Sequence, residues 1–197
     1  DQSVTYSMVK AVGCKYDGVG LVHIDSRCDM HEAYQGFDFS HASTMYNILR
    51  DVPQVKKFVS VGVQEFSPIE WERATSDSRV KMFTAQDMWR EQFEGTTWAK
   101  IVSDIINELP ENVYLALDID GLTGECSSNK SRIMTGGISF HQVVYLMDRI
   151  IASGRRIVGF DITEVSPNMD NKADMRLVAR LLFKMCSIAL KSVDNNK

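Results

Sequence analysis

Several features that would settle the class of a protein at once are scarce or missing in this sequence. Its four cysteines, Cys14, Cys28, Cys126 and Cys186, are scattered without CxxC or CxxxC spacing. That argues against a zinc site or a disulfide framework, and for a reducing, intracellular and by expectation cytoplasmic compartment. No apolar run approaches the roughly 20 residues that a membrane span needs. Positive charge is not in excess: 22 Lys and Arg face 26 Asp and Glu, a net charge of −4, so nothing points to nucleic acid or an anionic membrane surface. There is no internal repeat, low-complexity tract or linker, which makes one domain over residues 1–197 the expectation. The sequence opens on Asp1-Gln2-Ser3, without an initiator Met or a secretory signal.

What is present suits a globular protein with a sizeable core, with 44% apolar and 24% charged residues. Val19, Leu21, Val22 and Ile24 form a β-rich apolar run ending in Asp25-Ser26-Arg27-Cys28-Asp29. A second strand-like run, Val113–Leu117, ends in Asp118-Ile119-Asp120-Gly121, and a third, 156–163, carries Asp161 and Glu164 at its tip. Further strands are expected at 57–63 and 79–84. Helices are expected at 2–13, 44–50, 67–78, 85–91, 96–109, 139–153 and 173–192. Val4, Met8, Val9 and Val12 make the apolar stripe of the first helix, and Ser67-Pro68 reads as an N-cap followed by proline at the first helical position. Residues 30–41 and 121–137 read as loops. The repeated β-α-β-α order predicts an α/β fold, a three-layer α-β-α sandwich with a mostly parallel sheet. Ligands gather at the carboxyl ends of strands in such sheets, and paired acids at two strand tips are a means of caging a divalent metal.

With three acid-bearing tips in view, the pattern resembles the arginase/agmatinase (ureohydrolase) family. Asp1-Gln2-Ser3 is similar to the end of its Gly-Gly-Asp-His-Ser motif, and Asp25-Ser26-Arg27-Cys28-Asp29 to Asp-Ala-His-x-Asp. Asp118-Ile119-Asp120-Gly121-Leu122 is similar to Asp-Val-Asp-Gly-Leu, and Asp161-Ile162-Thr163-Glu164-Val165-Ser166-Pro167 to Asp-Ile-x-Glu-Val-x-Pro. Thr135-Gly136-Gly137-Ile138-Ser139 and Val178–Leu182 also match. The resemblance implies a chain lacking the first third of a family member. It also implies two manganese ions, a homo-oligomer (a trimer or hexamer), His41 as a proton-shuttling or substrate-touching loop residue, and Glu164 as a guanidinium-binding residue.

The departures fall on the metal ligands. Asp25, Asp29, Asp118 and Asp120 match four family ligands, but Gln2 and Arg27 stand where the family has histidines. Guanidinium has no acceptor and stays protonated, so Arg27 cannot coordinate a metal and puts positive charge where one would sit. Repulsion of a divalent ion at about 4 Å and an effective dielectric near 20 amounts to several kcal/mol. Arg27 is expected to pair with Asp25, Asp29 or the Asp118/Asp120 pair as an internal counter-ion. Gln2 has an amide oxygen, which with Asp25, Asp29 and Asp118 could form a single hard-cation site. Leu122-Thr123-Gly124 lacks the family's Asp-Pro, and Ala42 replaces a glycine after His41.

These departures predict no tightly bound cofactor and three competing functions. One is a catalytically silent ureohydrolase homologue acting as a scaffold or regulator. The others are a hydrolase of a guanidino or amidino C–N bond with an altered site, and a sensor that binds a small cationic ligand without turnover. His23 reads as a packed core residue, His31 and His141 as surface residues, and Cys28 as an unreactive thiol raised by its acidic neighbours.

Overall fold

The computed structural model describes residues 1–123, 136–165 and 172–194. The expectations for Cys126, Thr135, Ser166, Pro167 and most of the 121–137 loop fall outside these residues. Strands β1 (Val19–Ile24), β2 (Val55–Val63), β3 (Val80–Thr84), β4 (Asn112–Asp118) and β5 (Arg156–Thr163) form one parallel sheet in the order β3-β2-β1-β4-β5. All three acid-tipped runs are therefore strands, and their tips share one edge of the sheet.

Helices α1 (Ser3–Gly13), α2 (Thr44–Asp51) and α3 (Pro68–Ser76) cover one face. Val9, Met45, Ile48 and Ala74 pack there on Leu21, Phe58, Tyr114 and Ala116. Helices α4 (Ala85–Phe93), α5 (Trp98–Asn107), α6 (Phe140–Ala152) and α7 (Ala173–Asp194) cover the other, where Met88, Ile101, Ile105, Val143, Met147 and Leu181 meet Val22, Ile24, Val59 and Leu115. Strand residues alternate between these two clusters, as the period of two requires. Burial on both faces explains why the strands read as nearly continuous apolar runs.

One helix is rotated from its expected setting. Val4 and Met8 are exposed, and α1 instead buries Thr5, Val9 and Gly13, with Gln2 completely buried just before it. The polar anchor at Gln2 sets the rotation, and helical spacing carries Thr5 and Val9 onto the same face.

Strand order then positions the site. From β1 the chain runs outward through β2 and β3, then returns to place β4 on the other side of β1. The β1–β4 junction is the topological switch point, where a crevice opens beyond the carboxyl ends of the strands. Asp25 and Asp118 stand at the two strand ends that flank it. Gly121 holds the tips together: a Cβ there would lie 2.7 Å from both the Cα and the N of Asp25.

Candidate functional site

Asp25, Asp29, Asp118 and Asp120 converge, each less than a tenth exposed. Local backbone geometry fixes most of them. Asp25 Oδ1 accepts from the Arg27 N–H at 3.1 Å and from the Ser26 hydroxyl at 3.3 Å. Asp118 Oδ1 accepts from the Asp120 N–H at 2.7 Å, and its Oδ2 from the Thr163 hydroxyl at 3.2 Å. Asp29 and Glu164 both sit in the left-handed region, with φ of 49° and 57°. That conformation is uncommon outside glycine and is tolerated better by Asp than by Glu.

Arg27 lies among these acids with its side chain 24% exposed, and its Nε is 3.7 Å from Asp29 Oδ1. It is an ion pair beyond hydrogen-bond distance, looser than the paired geometry expected from sequence; the buried Nε has no hydrogen-bond partner among the described residues. The charge nevertheless acts on the whole cluster. Burial lowers the guanidinium's proton affinity, but Asp29, Asp25, Asp118 and Asp120 together raise it above its ordinary value. Burial, and then the charge of Asp25, lifts Asp29 well above the carboxylate range and Asp118 to about 8. Asp25 is the exception. Burial pushes it up, but contact with His23 and the charge of Arg27 bring it below its usual value.

His23 is fully buried, as expected of a packed core residue, and its Nε2 also lies 3.3 Å from Asp25 Oδ2 and contacts the Gln2 side-chain amide. Ligand atoms of His23, Asp25 and Asp29 lie within 4.8 Å of one another. The signal was present in the sequence: position 23 is two residues before Asp25, so both side chains leave the strand on the same face. His31 is not a plain surface residue. Its Nε2 is 3.2 Å from Glu70 Oε2, and Tyr34 bridges it to His41 through ring contacts at 6.0 and 5.4 Å.

Glu70, which sequence reading passed over, organises this wall. It completes the α3 cap by accepting from the Ser67 N–H at 2.8 Å, and it also takes the Met30 N–H at 3.2 Å. The spacing Ser67-Pro-x-Glu was the capping-box signal. The Cys28 thiol donates to Glu70 at 3.4 Å, and burial followed by Glu70's charge raises its proton affinity strongly, in keeping with an unreactive thiol.

The crevice has a volume of about 680 Å³ and is walled by Arg27, Asp29, His31, Tyr34, His41, Glu65, Glu70, Asp120 and Glu164. His41 opens a short 3-10 turn and loses proton affinity through burial and then the charge of Arg27. His41 and Glu164 are thus brought to the same space as the acids, while Gln2 lies behind them on the α1 side.

The manganese pair implied by the resemblance does not fit this residue set. A pair needs acceptors on both sides of the carboxylates, and one side presents the Arg27 cation. The other side retains three buried oxygens without hydrogen-bond partners among the described residues: Gln2 Oε1, Asp25 Oδ2 and Asp29 Oδ2.

Comparisons with known proteins agree with this architecture. The model of the arginase family matches residues 1–187. The chain is 29% identical over 193 residues to N(1)-aminopropylagmatine ureohydrolase of Thermus thermophilus, covering 98% of this chain and 61% of that protein. It is 27% identical over 175 residues to mitochondrial arginase 1 of Arabidopsis thaliana, covering 86% and 47% respectively. The chain therefore spans about half to three fifths of these curated relatives. Among solved structures, Bacillus subtilis arginase superposes with a TM-score of 0.76 at 21% identity, covering 96% of this chain and 68% of that one. Thermoplasma volcanium agmatine ureohydrolase superposes with a TM-score of 0.76 at 22% identity, covering 99% and 62%. The parallel three-layer sheet, the acid-tipped strands at its switch point and the family match over nearly the whole length place this chain in the arginase family.

Proposed function

We propose that this arginase-family domain does not assemble a manganese pair and does not hydrolyse arginine or agmatine, and that it works as a scaffold or regulator. The observation that carries the reading is Arg27, whose cation lies within the field of Asp25, Asp29, Asp118 and Asp120. In a hydrolase of this type two metal ions lower the pKa of a shared water to give a nucleophile near pH 7. Arg27 supplies positive charge to the carboxylates but has no vacant orbital to bind water and no lone pair to take its proton.

A second reading has support from the crevice itself. Asp29, Glu65, Glu70, Asp120 and Glu164 line it against Arg27 and two histidines. That excess of acid suits a small cationic ligand held without turnover, and family likeness makes a homo-oligomer the natural setting for either reading.

The test is metal and product analysis on the purified protein after manganese loading. Fewer than two ions per chain and no urea release above a heat-killed control are expected. Two tightly held ions with urea released from arginine or agmatine would overturn the proposal.

A further inference from the structure

A second cavity, of about 690 Å³, opens beside the crevice at the carboxyl ends of β2 and β3, where Val63 and Thr84 line it; Phe66 lines both spaces. Its sides are two pairs of stacked rings. Phe66 and Trp71 have centroids 4.9 Å apart at 26°, and Trp89 and Phe93, one turn apart on α4, have theirs 5.9 Å apart at 29°. Stacking of this kind holds the rings in place before anything binds. These are not core residues: Phe66 is 42%, Trp71 41% and Phe93 83% exposed. Large apolar side chains gathered on a surface in this way mark a binding site.

The surroundings specify the charge of the occupant. The two segments that carry the rings, 64–72 and 84–94, hold six acids, Glu65, Glu70, Glu72, Asp87, Glu91 and Glu94, and one cation, Arg90. That cation is tied to Asp87 at 2.7 Å. The faces of aromatic rings are electron-rich and attract cations, so rings and carboxylates act in the same direction, and both disfavour an anion. Exposure decides the size of the occupant. A small ligand is held by a pocket that buries most of its surface, and rings as open as Phe93 cannot enclose one. A chain segment lying across both ring pairs covers them from outside, and exposed aromatic side chains are where protein partners anchor.

We infer that the groove between α3 and α4 docks an arginine-bearing segment of a protein partner, with guanidinium groups laid on the Phe66–Trp71 and Trp89–Phe93 rings and facing the surrounding carboxylates. Arginine suits the site better than lysine. A planar, weakly hydrated guanidinium stacks on a ring and still reaches a carboxylate through its edge, whereas an ammonium keeps its water. A cation over an exposed ring is worth about two- to fivefold in affinity, so the segment binds through several such contacts in a row. The surface gives the scaffold reading a class of partner without using Arg27 or the four aspartates, and either conclusion can fail without the other.

The test is titration of the protein, carrying 15N-tryptophan, with short end-blocked peptides in which arginine, lysine or glutamate alternates with serine. The indole N–H signals, assigned through Trp71→Phe and Trp89→Phe, report separately. Trp71 and Trp89 line the groove, while Trp98 lies outside it and donates through Nε1 to the Gln142 carbonyl at 3.3 Å. The arginine peptide should shift the Trp71 and Trp89 signals, leave that of Trp98 in place, and bind at least about threefold more tightly than the lysine peptide. The glutamate peptide should not bind. Phe93→Ser, at a ring too exposed to be needed for folding, should weaken the arginine peptide about two- to fivefold and leave the melting temperature unchanged. Equal affinity for the arginine and lysine peptides would reduce the groove to an acidic surface and overturn the inference. So would unmoved Trp71 and Trp89 signals, or binding indifferent to Phe93→Ser. Arginine amide binding as tightly as the peptide would assign the groove to a small cation and overturn it as well.

Discussion

Arg27 carries the largest share of what sets this chain apart, and its substitution should be felt in stability before function. Arg27→Met removes the cation facing Asp25, Asp29, Asp118 and Asp120 while keeping most of the side-chain volume. Because the nearest ion pair is 3.7 Å and the side chain 24% exposed, the effect should fall short of that for breaking a fully buried bridge. A loss of about 1–3 kcal/mol near pH 7 is expected from urea unfolding. An unchanged midpoint would show that the acids do not depend on Arg27. The same cluster gives a pH signature. Asp118 has an ordinary value of 3.8 and is pushed to about 8 in the fold by burial and by Asp25. A carboxyl raised on folding binds its proton more tightly in the native state, so its stabilising effect is complete below 3.8 and is lost as pH climbs through about 8. Metal-free protein should therefore melt at lower temperature at pH 8 than at pH 6, and Asp118→Asn should flatten that slope. An equal slope in the variant would move the effect to other groups.

At the scale of elements, two strand ends meet through a residue that has no side chain. The missing Cβ of Gly121 lets the turn after β4 lie against the backbone of Asp25, and because the neighbours at 2.7 Å are backbone atoms they cannot swing aside. Gly121→Ala should cost about 1–3 kcal/mol, as overpacking does, because the backbone of Asp25 has to move. An unchanged urea-unfolding midpoint would contradict this. Elements were the most legible level of the sequence. Each expected strand and helix is present, because buried parallel strands and amphipathic helices write their periods into the chain. Their orientation was less legible. The stripe Val4-Met8-Val9-Val12 suggested one buried face of α1, but Gln2 buries itself against His23 and turns Val4 and Met8 outward. A polar contact between residues 21 positions apart leaves no periodic trace. His23 was hidden for a related reason: inside an apolar strand, a packed histidine and a histidine facing a site have the same neighbours in sequence, and only Asp25 two residues later separates them. The acids and Arg27 were legible because they fall at strand ends, where side chains reach the crevice whatever the packing behind them.

At the scale of the whole molecule, the sheet stands apart from the chemistry that its edge can support. The chain belongs to a family whose relatives include ureohydrolases, and the motif resemblance puts Asp25, Asp29, Asp118 and Asp120 at its ligand positions, with Gln2 and Arg27 where it has histidines. That separation predicts that the pair can be rebuilt. Gln2→His and Arg27→His together should allow two manganese ions to bind, because Asp25, Asp29, Asp118 and Asp120 are already buried at strand ends that the sheet fixes. Arg27→His alone exchanges the fixed cation for a neutral ligand but leaves Gln2 on the other side. Gln2→His alone sets a second imidazole beside His23 and leaves the cation of Arg27 in place. A ligand bound only by the native state stabilises it by RT times the logarithm of one plus the ratio of free ligand to dissociation constant, about 2.7 kcal/mol at a ratio of one hundred. The double variant should therefore show a larger manganese-dependent rise in melting temperature than the unaltered protein or either single change, with two ions per chain by elemental analysis. Urea release need not accompany it, because Leu122-Thr123-Gly124 has also lost the family's Asp-Pro. A double variant that binds no more manganese than the unaltered protein would mean that the aspartates, though close together, have relaxed around Arg27 into positions that no longer form a cage for two ions.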